Sequence, residues 1–213
     1  MDFLRLLYPK GYLFEMSVGD VYTKNRGDKM RKGLFIAHVG LVLYAVFHLI
    51  TNFQAGTFLS DVVSNNIDPT LFMVFNLLGL FPLAFLLYGF KYLKMNKKQW
   101  VFLSMGFMLG GFILTIPFID GQMGSKKVSK QTHIVALVGL ILSVMTIGYG
   151  VILGDFSAYY QAFLSDSFVH IMTIDFIFLY GLSIYLAKIS HQKYWIAGIP
   201  VIGLFYLLFQ DTD

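Results

Sequence analysis

The chain contains no cysteine, which removes disulfides, thiolate nucleophiles and thiolate-bound metals together. Charge is also scarce: Asp, Glu, Lys and Arg make up 13% of the 213 residues, against 57% hydrophobic, and the mean hydropathy is +0.68. Ordinary soluble domains carry roughly twice that share of charge, so a water-facing globule is excluded. No catalytic elbow, Walker loop or pair of catalytic carboxylates occurs. No nucleic-acid reading module is present, and the net charge of +4 does not imply one. The bases lie in short clusters beside apolar runs, where Lys and Arg set orientation and meet anionic head groups. A cleavable signal peptide is not expected, because the apolar run Phe3–Tyr8 is too short and Pro9-Lys10-Gly11 ends it.

What is present is long apolar runs, six of them: Gly33–Phe53, Leu71–Phe90, Trp100–Ile119, Ile134–Leu153, Phe168–Ala187 and Tyr194–Phe209. A helix needs roughly 20 apolar residues to cross the hydrocarbon core, and lipid accepts only backbone that is hydrogen-bonded internally. The fold class expected is therefore all-α: a polytopic helical membrane protein with six transmembrane helices in one bundle over residues 33–210. Residues 1–32 form an N-terminal cytoplasmic or interfacial segment. Within it Phe3–Val18 has the spacing to lie along the interface as a short amphipathic element, or stays a partly ordered tail.

The bases give an orientation. Arg5, Lys10, Lys24, Arg26, Lys29, Arg31 and Lys32 precede the first run, and Lys91, Lys94, Lys97 and Lys98 separate the second from the third. Six full crossings put these on the cytoplasmic side with both termini. Lys126, Lys127, Lys130, Lys188 and Lys193 then fall outside, which fits the second half badly. One fewer crossing between Gln99 and Ser125 would gather all 16 bases on one face. The third run contains Ser104, Gly106, Gly110, Gly111 and Pro117, so a re-entrant hairpin shielded by protein is the physical alternative. The halves also echo each other: aligning Met73–Leu83 with Met172–Leu182 pairs Asn76 with Asp175.

Gly106 with Gly110, and Gly139 with Ser143, space small residues four apart and are expected as contacts within the bundle. Pro82 and Pro117 should kink or end their helices. Trp100, Trp195, Tyr92, Tyr149, Tyr159, Tyr160 and Tyr194 lie near run ends, as an interfacial belt requires.

Few polar groups sit inside the runs. Asp175 is the sharpest, about 12 Å down its helix at 1.5 Å per residue. A carboxylate there costs several kcal/mol, roughly, unless it is paired or protonated, so it needs a partner on another element. His170 lies about 140° from Asp175 on the helical wheel, so the two are not an intrahelical pair. Asp166 stands four residues before His170 and can pair with it near the interface. Gly40, Tyr44, His48, Thr51 and Asn52 form a polar stripe that should face the bundle, with His38 further round. From it His48 could reach Asp175, His170 or His133. Asn76 reads as an interhelical hydrogen-bonder. No H-x-x-x-H or H-E-x-x-H spacing exists, so neither a metal nor another cofactor is expected; the alternatives are a metal on two His and a carboxylate, or haem on two of His38, His48, His133 and His170. His191, in a basic loop, reads as exposed.

Phe75-Asn76-Leu77-Leu78-Gly79-Leu80-Phe81-Pro82, the pair Gly154-Asp155, and the run Phe168-Val169-His170-Ile171-Met172-Thr173-Ile174-Asp175-Phe176 resemble an uncharacterised family of small polytopic membrane proteins found in cyanobacteria, plastids and other bacteria. The resemblance covers roughly residues 71–208. It implies a constellation of Asn76, Asp155, His170 and Asp175, and no activity.

Three classes of function follow. One is a non-catalytic accessory or assembly protein with a membrane-protein partner. The second is a binder or carrier of a lipophilic or small polar molecule, using Asp175, His170, Asn76, His48 and Tyr44. The third is an intramembrane enzyme on a lipid or isoprenoid, with His170 or His48 as acid–base and Asp175 as stabiliser. The first two are favoured. The expected place is a bacterial cytoplasmic membrane with the N-terminus cytoplasmic, the bilayer as partner and no nucleic acid.

Overall fold

The computed structural model describes residues 18–120, 122–123, 129–190 and 194–209, with side chains over 31–119, 129–189 and 194–209. The expected interfacial element before Val18, and His191, lie outside these residues.

Four helices carry the structure. Helix α1 (Val18–Thr51) starts well before the first apolar run, so the end of the N-terminal segment is continuous with the first span. A short α2 (Phe58–Val63) leads to α3 (Pro69–Tyr92), which has proline in its first turn and Asp68 as its cap. Helix α3 runs through Pro82 without ending. Arg31–Thr51 of α1 and all of Pro69–Tyr92 are long and apolar enough to cross a bilayer, as are Lys130–Leu153 and Ser167–Ile189 further on. At 1.5 Å per residue the longer three reach about 35 Å, against a hydrocarbon core of about 30 Å. The protein is an all-α integral membrane protein.

The third apolar run is not one helix. After a two-residue strand β1 (Leu93–Lys94) comes α4 (Lys97–Leu109), started by a reciprocal Asn96–Gln99 capping box. It stops at Gly110, whose φ of 53° and ψ of −139° are closed to residues with a side chain. The chain then reverses through α5 (Gly111–Leu114) and α6 (Ile116–Asp120) into β2 (Gln122–Met123). Leu93 pairs with Met123 and Lys94 with Gln122, antiparallel, so this first hairpin leaves and returns at the same end of the molecule. Gly106 is where the arms touch, since a Cβ there would strike Leu114.

The sixth run reverses as well. After α7 (Lys130–Leu153), α8 (Phe156–Ser165) and α9 (Ser167–Ser190), a 3₁₀ turn (Tyr194–Gly198) is followed by α10 (Ile202–Leu207). Between them Ile202 N–H donates to Pro200 O at 2.6 Å, a γ-turn around Val201 with φ 61°. Gly203 lies on the backbone of Ile196 and Ala197. This second hairpin ends beside the C-terminal turn of α3, where Lys91 Nζ donates to Leu208 O at 3.0 Å.

In place of six continuous helices there are thus four long ones and two broken hairpins. One side of each hairpin is buried by protein, Leu103, Leu114, Leu204 and Phe205 being fully enclosed with Phe81, Phe85 and Tyr88 of α3, while Phe107, Met108, Trp195 and Tyr206 are exposed. Protein and lipid ask for the same side chains there, so composition alone does not separate a hairpin from a span.

The two halves repeat one order: α1, α2, α3, hairpin; then α7, α8, α9, hairpin. Their contacts are reciprocal, α3 on α7 and α9 on α1, the first hairpin on α9 and the second on α3. The two halves thus make the same contacts with roles exchanged.

Candidate functional site

Asp175 stands in the middle of α9, 3% exposed. Its partner is a backbone amide: Gly111 N–H lies 2.9 Å from Oδ1 and 3.2 Å from Oδ2. The positive φ at Gly110 turns this N–H out of the reversal toward α9. Glycine is required twice over, because a Cβ on Gly110 or Gly111 would collide with the carboxylate. A carboxylate offers about four acceptor sites, and Gly111 N–H is its one hydrogen-bond donor among the described residues. His38 of α1 comes up to the same Gly111 backbone. Its Nδ1 is buried and has no hydrogen-bond partner among the described residues.

Beside Asp175 opens a cleft of about 520 Å³. Leu49, Leu59, Met108, Phe112, Ile171 and Met172 give it apolar walls, and Asp166 and Ser167 line it where α9 begins. Asp166 Oδ1 accepts from Phe168 N–H at 2.8 Å and Val169 N–H at 3.3 Å, and Oδ2 from Phe58 N–H at 3.2 Å. Asp166 therefore caps α9 and does not pair with the His170 ring. Gly56 is small because the Asp166 carboxylate occupies the space of a Cβ.

Of the polar stripe of α1 only Tyr44 and His48 meet the bundle, at His170, while Gly40, Thr51 and Asn52 are exposed. The His48 and His170 rings lie parallel, 4.1 Å apart and 9° from coplanar, with Phe163 of α8 stacked 4.3 Å away on His170. His170 Nδ1 lies 3.1 Å from Phe163 O, and Tyr44 Oη lies 2.6 Å from His170 Nε2. A carbonyl only accepts, so Nδ1 carries a proton, and in the tautomer with that one proton the Tyr44 hydroxyl donates to Nε2. His48 Nε2 is 3.3 Å from Ser167 Oγ, which also accepts from Gln54 N–H at 2.8 Å. Tyr159 Oη donates to Thr173 Oγ1 at 2.6 Å, and burial raises this phenol above its ordinary pKa.

The sequence-derived residues thus divide into two groups. Tyr44, His48 and His170 form one cluster where α1 ends and α9 begins, while Asp175 faces the tip of the first hairpin. Asn76 joins neither; its Nδ2 donates to Phe72 O of its own helix at 2.8 Å, not across the bundle. Asp155 caps α8 and gives its own N–H to Asp68 Oδ2 at 3.0 Å. Among the described residues no three His, Asp or Glu side chains converge as a metal site would need. Gly111 as the partner of Asp175, and Asp166 as a lining residue, were not foreseen; the Gly110-Gly111 pair was the signal for the first. No family model, curated protein or solved structure matches this chain.

Proposed function

We propose that this membrane protein is a non-catalytic binder of a lipophilic molecule, held in the cleft with a hydroxyl or amine of that molecule on Asp175. The observation that carries the proposal is the coincidence of a buried carboxylate, acceptor sites to spare and an apolar cleft of about 520 Å³. A carboxylate retained only for packing would be satisfied by protein and closed off. An enzyme on lipid would need His48 or His170 within reach of the group on Asp175, and their partners are Ser167, Tyr44 and Phe163 O instead. The resemblance of the Phe168–Phe176 run to the small polytopic family adds only that Asp175 and His170 belong together in a motif.

The topology belongs to the same proposal. Four crossings with two hairpins dipping in from one side gather the bases on that side, which the positive-inside rule makes cytoplasmic. The N-terminus is then cytoplasmic, in a bacterial cytoplasmic membrane. Asp61, Asp68, Asp155 and Asp166 fall on the opposite side.

The test is native mass spectrometry with organic extraction of the purified wild type and Asp175→Asn. Asparagine keeps an oxygen for Gly111 N–H, so the variant should melt close to wild type. We expect a defined molecule, about one per chain, in wild type and its loss from the variant. The same molecule in both, or none in wild type, overturns the reading.

A further inference from the structure

The reciprocal halves close one helix seam and leave its counterpart open. Where α3 meets α7, Met73 fills the space beside Gly150. Phe205 of the second hairpin stands over Gly139. The equivalent seam between α1 and α9 parts, leaving a groove of about 840 Å³. Gly33, Leu34 and Ala37 line it from α1, and Gly181, Leu182 and Lys188 from α9. A Cβ on Gly33 or on Gly181 would meet nothing within 4 Å. The groove shares no lining residue with the Asp175 cleft and belongs to the other end of α9.

Its two ends differ chemically. Toward the middle of α9 the walls are apolar, Ile177 and Phe178 among them. The other end carries the Tyr185 hydroxyl and the exposed Lys188, at the end of the molecule that also bears Lys94, Lys97, Lys98 and Lys130. An apolar slot open to the bilayer with a cation at head-group level matches a lipid whose chain fills the slot and whose phosphate meets the ammonium.

We infer that the α1–α9 groove is a binding site for an anionic phospholipid, with an acyl chain lying between Gly33 and Gly181 and the phosphate at Lys188. Charge complementarity selects this occupant over a zwitterionic lipid such as phosphatidylcholine, whose choline ammonium offsets the phosphate that meets Lys188. The site is independent of the ligand proposed for Asp175.

The experiment is native mass spectrometry of the full chain in detergent, titrated with dioleoylphosphatidylglycerol or dioleoylphosphatidylcholine. Wild type should retain one phosphatidylglycerol about fivefold more tightly than phosphatidylcholine, the scale of one lysine near a head group. Lys188→Gln should abolish the preference. Gly181→Leu should fill the slot and weaken both lipids, and Gly33→Leu repeats the test from the other wall should Gly181→Leu fail to fold. Equal retention of the two lipids by wild type overturns the inference. So does unchanged phosphatidylglycerol binding by a folded slot-filling variant.

Discussion

Asp68 and Asp166 perform the same task in opposite halves of the protein. With Oδ1 each accepts the N–H groups two and three residues ahead, capping the helix that follows: Thr70 and Leu71 for Asp68, Phe168 and Val169 for Asp166. With Oδ2 each reaches the other half: Asp68 accepts from Asp155 N–H at 3.0 Å, and Asp166 from Phe58 N–H at 3.2 Å. Each carboxylate thus ties the start of one long helix to the corner preceding the short helix of the other half.

Removing these ties should cost unequal amounts. Losing a capping oxygen costs roughly 0.5–2 kcal/mol, and stranding a buried donor roughly 1–3 kcal/mol more. The Asp166–Phe58 bond is buried and the Asp68–Asp155 bond is exposed. Asp166→Ala is therefore expected to lower the melting temperature in detergent clearly more than Asp68→Ala. Equal effects would mean that the cross-half bonds contribute nothing beyond the caps.

Gly110 and Gly148 give opposite expectations for the same substitution. At Gly110 alanine meets both a positive φ and the Asp175 carboxylate, so Gly110→Ala should destabilise by about 1–3 kcal/mol from the backbone alone and displace Asp175. At Gly148, inside α7, a Cβ meets nothing within 4 Å. Gly148→Ala should be neutral or stabilise by up to about 1 kcal/mol, because glycine is a poor helix residue. Thermal unfolding of the two variants side by side checks both.

The His170 tautomer is set by Phe163 O, not by Tyr44. Nitrogen-15 NMR of histidine-labelled protein should show the His170 proton on Nδ1 in the neutral form of the ring, and Tyr44→Phe should leave that tautomer in place. The lost hydroxyl should cost about 1 kcal/mol. A switch to the Nε2–H form in Tyr44→Phe would show that the tyrosine holds the tautomer.

Much of this was legible from residue patterns, and the exceptions have physical causes. The four long helices were visible because only apolar runs of that length satisfy backbone in lipid. Of the stripe Gly40, Tyr44, His48, Thr51 and Asn52 only Tyr44 and His48 meet the bundle, because α1 packs through the apolar face of Leu34, Leu41 and Ala45 and leaves the other three exposed. Trp100–Ile119 and Tyr194–Phe209 read as spans because a broken hairpin, with one side packed on protein and the other exposed, uses the same apolar side chains as a crossing helix. The warnings were local, in Gly110-Gly111 and in the bases Lys126, Lys127, Lys130, Lys188 and Lys193, which six crossings strand on the wrong side. The second reversal, at Val201, carries no glycine at its positive φ and gave less notice. Asp68 looked like an ordinary loop acid and Asp166 like a partner for His170, because what they bind is backbone, part of it more than eighty residues away. Backbone partners leave no residue type to recognise, and the same holds for Gly111 beneath Asp175.

The first hairpin is what carries Gly111 to Asp175, so the site stands or falls with the chain's return at β2. Because the protein has no cysteine, Asn96→Cys, Ser129→Cys, Ser60→Cys and Ser157→Cys each place one thiol at a known corner. The measurement is labelling of these four variants in intact cells and inverted vesicles with a membrane-impermeant maleimide. Positions 96 and 129 should label from the same side, and positions 60 and 157 from the other. If 96 and 129 label from opposite sides, the third run crosses the membrane, the hairpin does not form, and Gly111 does not meet Asp175.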